Sequence, residues 1–532
     1  MPTKSSTATT RSPDTAHRIS LVLNAHTPFI PRTFSPHYNY EEIRFFESIS
    51  GTFLPLLMLF DRLDADHVPF RLGIVLSPVL CCALQDEKLL RRYHEYTQRQ
   101  IAFGEQESSR TTASPGQQKA ARHFYDEVIE KSFLFNERYG RDLLTVFQHY
   151  QKKDCIELLM TSTTPAFLPF YVAKPEAMQA QIETAYMMYR RIFGNPGRGF
   201  MLPDCGWTPA LDSFLHAYHI THTIVSTHGF LLGAPRPNFG IFFPVKTPEG
   251  ISVFGQDPYS YQDISRFSRI GAYCNNASDI GFEMPAEQIP EFYDEAGGRI
   301  ATGYRYFSHD QSLYNPEKAV RQAETHADQF LNARISHFKE VEQFTDESAL
   351  SLCTITADSV GRDWYEGPVF LEALFRKAPA KRSIRFVCPS EASVTPHKTR
   401  SIPTFSSSGE NGYAETWLDN ANDWIYRHLM HSLDRMADLA ERFPNETGIR
   451  ERALNQAVWE LLLAQSTDWA TMLYRNERFD YAHEQIEQNL RNFTTIYEAF
   501  GGTRINTEWL TKLERRHPIV PEINYRVFRK KI

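Results

Sequence analysis

The chain has 532 residues, of which 42% are hydrophobic and 23% charged; this is ordinary globular composition, long enough for two or three domains. A net charge of −7 with no basic block argues against nucleic acid or an anionic membrane surface as the main partner.

Residues 1–17, rich in Ser, Thr and Pro and lacking an apolar stretch, read as a disordered tail rather than a signal peptide. Residues 19–23 (ISLVL) suit a buried strand, and an amphipathic helix is expected over 41–61. A second strand follows over 70–76, ending at Ser77-Pro78. A long helical region then begins, broken by a polar linker over 105–116. Residues 155–160 are a further strand candidate, with a helix after Pro175. Strands alternating with helices imply a parallel sheet or barrel, whose functional side chains collect at the carboxyl ends of the strands. From about residue 420 the pattern turns helical, with helices expected over 424–442, 448–474 and 481–500. The seven cysteines are odd in number and contain no C-x-x-C, so reduced thiols in a cytoplasmic protein fit best. No apolar run reads as a transmembrane helix. His216, His219 and His222 are spaced by three, but no acidic or cysteine ligand lies nearby in sequence, which weighs against a metal site. No phosphate-binding or dinucleotide-binding glycine loop is present, so no nucleotide cofactor is expected.

Residues 354–368 read T-I-T-A-D-S-V-G-R-D-W-Y-E-G-P. This stretch resembles a signature of the family-57 glycoside hydrolases, roughly D-A-E-L-F-G-H-W-W-[FY]-E-G-P, matching at Gly361, Trp364, Tyr365, Glu366, Gly367 and Pro368. Residues 452–469, R-A-L-N-Q-A-V-W-E-L-L-L-A-Q-S-T-D-W, resemble the branching-enzyme group of that family, as do 23–28, 42–57, 302–334 and 409–424. The resemblance implies an α/β fold: a distorted (β/α)7 barrel with inserted excursions over 18–405, then an α-helical domain over 406–532. It also implies retaining cleavage or transfer of α-glucosidic bonds by a glutamate nucleophile and an aspartate acid, with no metal or other cofactor. The expected ligand is an α-1,4-glucan or maltooligosaccharide.

The catalytic set implied by the resemblance is altered. The nucleophile position is Asp204, one methylene shorter than glutamate, and the acid position is Thr356, which cannot deliver a proton near neutral pH. Retaining chemistry needs two carboxyl groups about 5–5.5 Å apart. Asp358, two residues beyond Thr356, is a candidate substitute acid. Asn24, Pro165, Gln256, Arg362-Asp363 and Ser408 also depart from the family pattern, whereas Glu366 reads as structural. Substrate-binding candidates are His26, Trp207, His228, Asp257, Trp364, Trp417, Asp468 and Trp469; for Trp364, Trp417 and Trp469, core packing competes with sugar stacking. Three functions remain open: a glucan-recognising relative with lost or reduced catalysis that regulates or scaffolds an active glucan enzyme, an active enzyme using Asp204 with Asp358, and an interaction protein that binds no sugar.

Overall fold

The computed structural model describes residues 16–394, 399–502 and 505–529. Residues 1–15 of the expected tail lie outside them. His17, counted with that tail, instead opens the first strand; it is buried and its ring stacks on Phe338 at 4.6 Å.

Among the described residues nine strands occur: β1 His17–Ala25, β2 Leu72–Leu76, β3 Ile156–Leu159, β4 Gly199–Met201, β5 His222–Val225, β6 Val245–Lys246, β7 Ser252–Gly255, β8 Leu350–Thr356 and β9 Ile384–Phe386. They form two sheets, β3-β2-β1-β8 with β9 added on β1, and β4-β5-β7-β6. Every pairing is parallel except β6 with β7. Two seams join the sheets. Met160 N–H donates to Gly199 C=O at 2.9 Å and Met201 N–H to Met160 C=O at 2.7 Å, tying β3 to β4. Asp257 N–H donates to Leu352 C=O at 2.7 Å, tying β7 to β8. Seven parallel strands thus close in the order β1-β2-β3-β4-β5-β7-β8. This is the expected (β/α)7 barrel, distorted because its two seams carry isolated hydrogen bonds in place of ladders. The barrel is filled, not hollow: Val22, Val75, Leu159, Met201, Ile224, Phe254 and Leu352, one from each ring strand, form a single buried cluster.

The helices differ from expectation in instructive places. The stretch foreseen as one helix over 41–61 is Tyr40–Ser48, a wider turn Ile49–Phe53, and Leu54–Ala65. Tyr40–Ala65 is long and apolar enough to cross a membrane by length and composition, which the sequence reading did not foresee; 67% of its apolar window is buried inside the protein, as in a core helix. The polar segment 105–116 is not a linker, because helix Glu87–Arg110 runs through its first half and helix Pro115–Phe133 begins at its end. Glu107 there is buried, accepting from Tyr306 Oη at 2.7 Å and Arg110 Nε at 2.6 Å, so tertiary pairing holds a helix that composition alone reads as a break. In the carboxyl-terminal region, helices span Trp424–Arg442, Gly448–Ala464, Thr467–Arg475 and Phe479–Gly501. The expected 448–474 helix breaks where Ser466 caps Thr467–Arg475, and Thr467 N–H and Oγ1 both donate to Pro165 C=O.

The W-Y-E-G-P stretch is a packing device. Trp364 is buried between Tyr273 (5.2 Å) and Phe370 (5.1 Å), and Glu366 accepts from Cys274 N–H at 2.9 Å. A Cβ on Gly361 would lie 2.8 Å from Thr52 Cα, and one on Gly51 would lie 2.8 Å from Arg362 Cα. Two glycines therefore let the turn Ile49–Phe53 press its backbone on the loop after β8. Gly51→Ala is expected to cost about 1–3 kcal/mol through overpacking of that contact. A shift in the urea midpoint with an unchanged m-value would show it, and an unshifted midpoint would mean the contact relaxes freely.

Candidate active site

The carboxyl ends of the ring strands open on a cleft of about 940 Å³. Asn24 reaches it from β1, Asp204 from the turn after β4, His228 from the turn after β5, Gln256 and Asp257 from β7, and Thr354 and Thr356 from β8. Seven residues singled out from sequence (Asn24, Asp204, His228, Gln256, Asp257, Thr356 and Ser408), most of them far apart in the chain, thus line one cleft.

Asp204 sits on unusual backbone. It and Cys205 both have positive φ (53° and 51°), a left-handed conformation costing about 1–3 kcal/mol each for non-glycine residues. The turn is held by Ser408, whose N–H and Oγ both donate to Asp204 C=O at 2.6 and 2.8 Å. Thr467 Oγ1 donates to the Asp204 carboxylate at 2.7 Å. Burial pushes this carboxyl up to about 7; Asp468 adds to the rise, while Thr467, His26 and Arg475 oppose it.

His26 and Asp468 form a pair beside Asp204. His26 Nε2 lies 3.0 Å from Asp468 Oδ2, and its Nδ1 lies 2.8 Å from Ser77 Oγ. Burial works against the charged imidazole, but the combined pull of Asp468, Asp204 and Asp358 outweighs it and raises the pKa above the usual histidine value. His26, whose charged form these carboxylates favour, therefore neighbours a carboxyl whose ionisation burial suppresses.

Thr356, at the end of β8, is exposed on the cleft wall. Asp358 is not: it is buried, accepts from Thr52 Oγ1 at 2.6 Å and Ser48 Oγ at 3.1 Å, and pairs with Arg362 Nη1 at 2.8 Å. It anchors the loop after β8 to the Ile49–Phe53 turn and its helix, which corrects its expected role as a substitute acid. Asp257 lines the cleft, yet its carboxylate accepts from Arg334 Nε at 3.2 Å and Ser351 Oγ at 2.7 Å and caps helix Pro258–Phe267.

The tryptophans are core residues. Trp207, Trp364 and Trp469 are at most 1% exposed, and Trp417 is 3% exposed and stacked on Phe167 at 5.2 Å. Trp207 Nε1 donates to Pro403 C=O, Trp417 Nε1 to Thr471 Oγ1 and Trp469 Nε1 to Leu463 C=O. No ring face remains for a sugar, so stacking gives way to packing at all four. Sequence reasoning passed over Thr467 and Arg475 as site residues; the S-T-D-W stretch held the signal for Thr467, whereas nothing local marks Arg475. Among the described residues, no group of three or more His, Cys, Asp or Glu could hold a metal ion; His222 is buried in β5 against Glu157 at 3.1 Å.

A model of glycosyl hydrolase family 57 matches residues 20–404. The chain belongs to glycosyl hydrolase family 57. A second model, 1,4-alpha-glucan branching enzyme, C-terminal, matches residues 428–528. A 1,4-alpha-glucan branching enzyme of Thermococcus kodakarensis is 23% identical over 503 residues, covering 89% of this chain and 72% of that protein. A probable 1,4-alpha-glucan branching enzyme of Mycobacterium tuberculosis is 21% identical over 525 residues, covering 92% and 93%. The solved structure of the alpha-amylase AmyC from Thermotoga maritima has a TM-score of 0.90 at 29% identity, covering 97% of this chain and 100% of that one. The family-57 branching enzyme from Pyrococcus horikoshii gives 0.86 at 22% identity with 97% coverage of each, a likeness of fold.

A carboxyl raised from 3.8 to about 7 contributes stability that is fully present below the unfolded value and lost as pH rises through the folded one. Asp204→Asn removes that loss while keeping an acceptor for Thr467. The variant is expected to melt above the wild type at about pH 8 and to converge with it by about pH 4. Melting curves across that range check this, and a pH-independent difference would remove Asp204 as the titrating group.

Proposed function

We propose that this chain is an α-glucan-recognising member of family 57 whose hydrolytic and branching chemistry is lost or greatly reduced. The observation that carries the reading is the commitment of Asp358 to Thr52, Ser48 and Arg362, beside a threonine at the acid position. With Asp257 also engaged by Arg334, Asp204 is the one carboxylate among the described cleft-lining residues without an ion-pair partner in contact. Retaining cleavage needs a second carboxyl about 5–5.5 Å away to protonate the leaving oxygen. Absence of a placed general acid costs about 10²–10⁴-fold, and a nucleophile set back by one methylene lowers the rate further.

Binding is a separate matter. The cleft keeps a wall of hydroxyl and amide groups suited to a neutral polyol, including Asn24, Ser226, Thr227, Gln256 and Ser408. The relatives are 1,4-alpha-glucan branching enzymes, one of them named as probable, and their sequence similarity to this chain extends over nearly its whole length. A protein that holds glucan without cutting it suits a regulatory or scaffolding role beside an active glucan enzyme.

The test is incubation with amylose, following iodine absorbance and reducing ends, for the wild type, Asp204→Ala and the double variant Asp204→Glu/Thr356→Asp. The first two are expected to be silent, while maltoheptaose raises the melting temperature of the wild type, since a ligand of the native state stabilises it. The double variant is expected to gain turnover of at least about 10²-fold over wild type. Wild-type turnover that disappears in Asp204→Ala would overturn the loss of catalysis, and absence of any thermal shift would overturn glucan recognition.

A further inference from the structure

One charged side chain in the cleft is left over by the foregoing account. Arg475 ends helix Thr467–Arg475, is exposed, and lines the cleft with Asp204 and Ser408. It makes no ion pair and no hydrogen bond with any described residue, and it is the sole Lys or Arg among the described lining residues. Its position in the last helical turn is favoured by the helix dipole, which explains why an arginine is tolerated there but not why it faces a cleft lined mainly by hydroxyl and amide groups.

The nearby charges do not cancel it. Asp257 is engaged by Arg334, which it shares with Asp263, and Asp468 by its pairing with His26. Asp204 lies within electrostatic reach of Arg475, but it is half-buried, its carboxylate accepts from Thr467, and its ionisation is suppressed by burial. A neutral glucan offers this guanidinium only hydroxyl oxygens. A planar fork of donors is matched far better by an oxyanion, which it binds through two parallel charge-assisted hydrogen bonds.

We propose that the glucan taken by this cleft carries an anionic substituent, a phosphate ester on a glucosyl unit, and that Arg475 reads it. The proposal rests on the glucan-binding reading above and narrows its ligand class. The hydroxyl-lined wall holds the sugar, while the guanidinium at the rim selects the charged unit. Selection here involves no bond making or breaking, so it needs neither the missing acid nor a full-strength nucleophile.

The test compares binding of maltoheptaose, maltoheptaose bearing a 6-phosphate, and inorganic phosphate alone, by calorimetry on the full chain. The wild type is expected to bind the phosphorylated sugar about tenfold or more tightly than the neutral one, the scale of one charge-assisted contact. Arg475→Gln is expected to erase that preference and Arg475→Lys to keep part of it; both sit at an exposed helix end, and their melting temperatures report folding. The preference is also expected to shrink between about 50 mM and about 500 mM NaCl. Equal affinity for both sugars in the wild type would overturn the proposal and leave neutral glucan recognition standing. A preference that survives in Arg475→Gln would overturn the assignment to Arg475. Inorganic phosphate binding as tightly as the phosphorylated sugar would overturn the role of a substituted glucan. If only the phosphorylated sugar binds, the selectivity holds and neutral recognition falls; if neither sugar binds, both fall.

Discussion

The site depends on one contact between the two family-matched parts of the chain. The start of helix Thr467–Arg475 is docked on the carboxyl end of the barrel, with Thr467 N–H and Oγ1 on Pro165 C=O and Oγ1 also within bonding distance of the Asp204 carboxylate. Thr164 Oγ1 donates to Leu462 C=O, and Gln181 Nε2 donates to Gln465 Oε1, at the same junction. All these groups are buried or nearly so, and each would carry a desolvation cost if its partner moved away. The helical region therefore does more than cover the barrel. It supplies the hydroxyl that holds Asp204, the carboxylate that charges His26, and the guanidinium at the rim.

The barrel in turn explains how the cleft keeps its shape. Its interior is a plug of one apolar side chain per ring strand, independent of what the strand ends carry. The left-handed turn at Asp204 is fixed from outside by Ser408, and the loop after β8 is fixed by Gly51, Gly361 and the Asp358–Arg362 pair. Of these supports only Ser408 belongs to the cleft lining, so substitutions elsewhere on the cleft wall leave them in place. A frame that does not rely on the reacting groups can lose them without unfolding, which is the physical condition for a binding protein to descend from an enzyme scaffold.

The electrostatics of the cleft follow from the same burial. Asp204 loses acidity because it is desolvated, and His26 gains basicity because the pull of Asp468, Asp204 and Asp358 outweighs its own desolvation. Asp358 and Asp257 are each surrounded by donors and a guanidinium, which makes them structural anchors of their loops.

The sequence by itself determined the alternation of strands and helices, and hence a parallel barrel with a helical region after it. It also determined the chemistry of the strand ends, since Asp204, Thr356, Asn24 and Gln256 are legible as residues at fixed positions of a family pattern. Apolar periodicity and local motifs suffice for both because they are short-range properties. What only the tertiary structure decided is which polar groups are free. Core packing competed with sugar stacking for Trp364, Trp417 and Trp469, Trp207 read as a substrate-binding candidate, and all four are buried in the core. The stretch 105–116 read as a break until Glu107 met Tyr306. Asp358 lost its candidacy to Thr52 and Ser48, more than 300 residues away in the chain. Arg475 gained its place from a helix docked beside Asp204. Such pairings depend on contacts between segments far apart in the chain, where no local pattern records them.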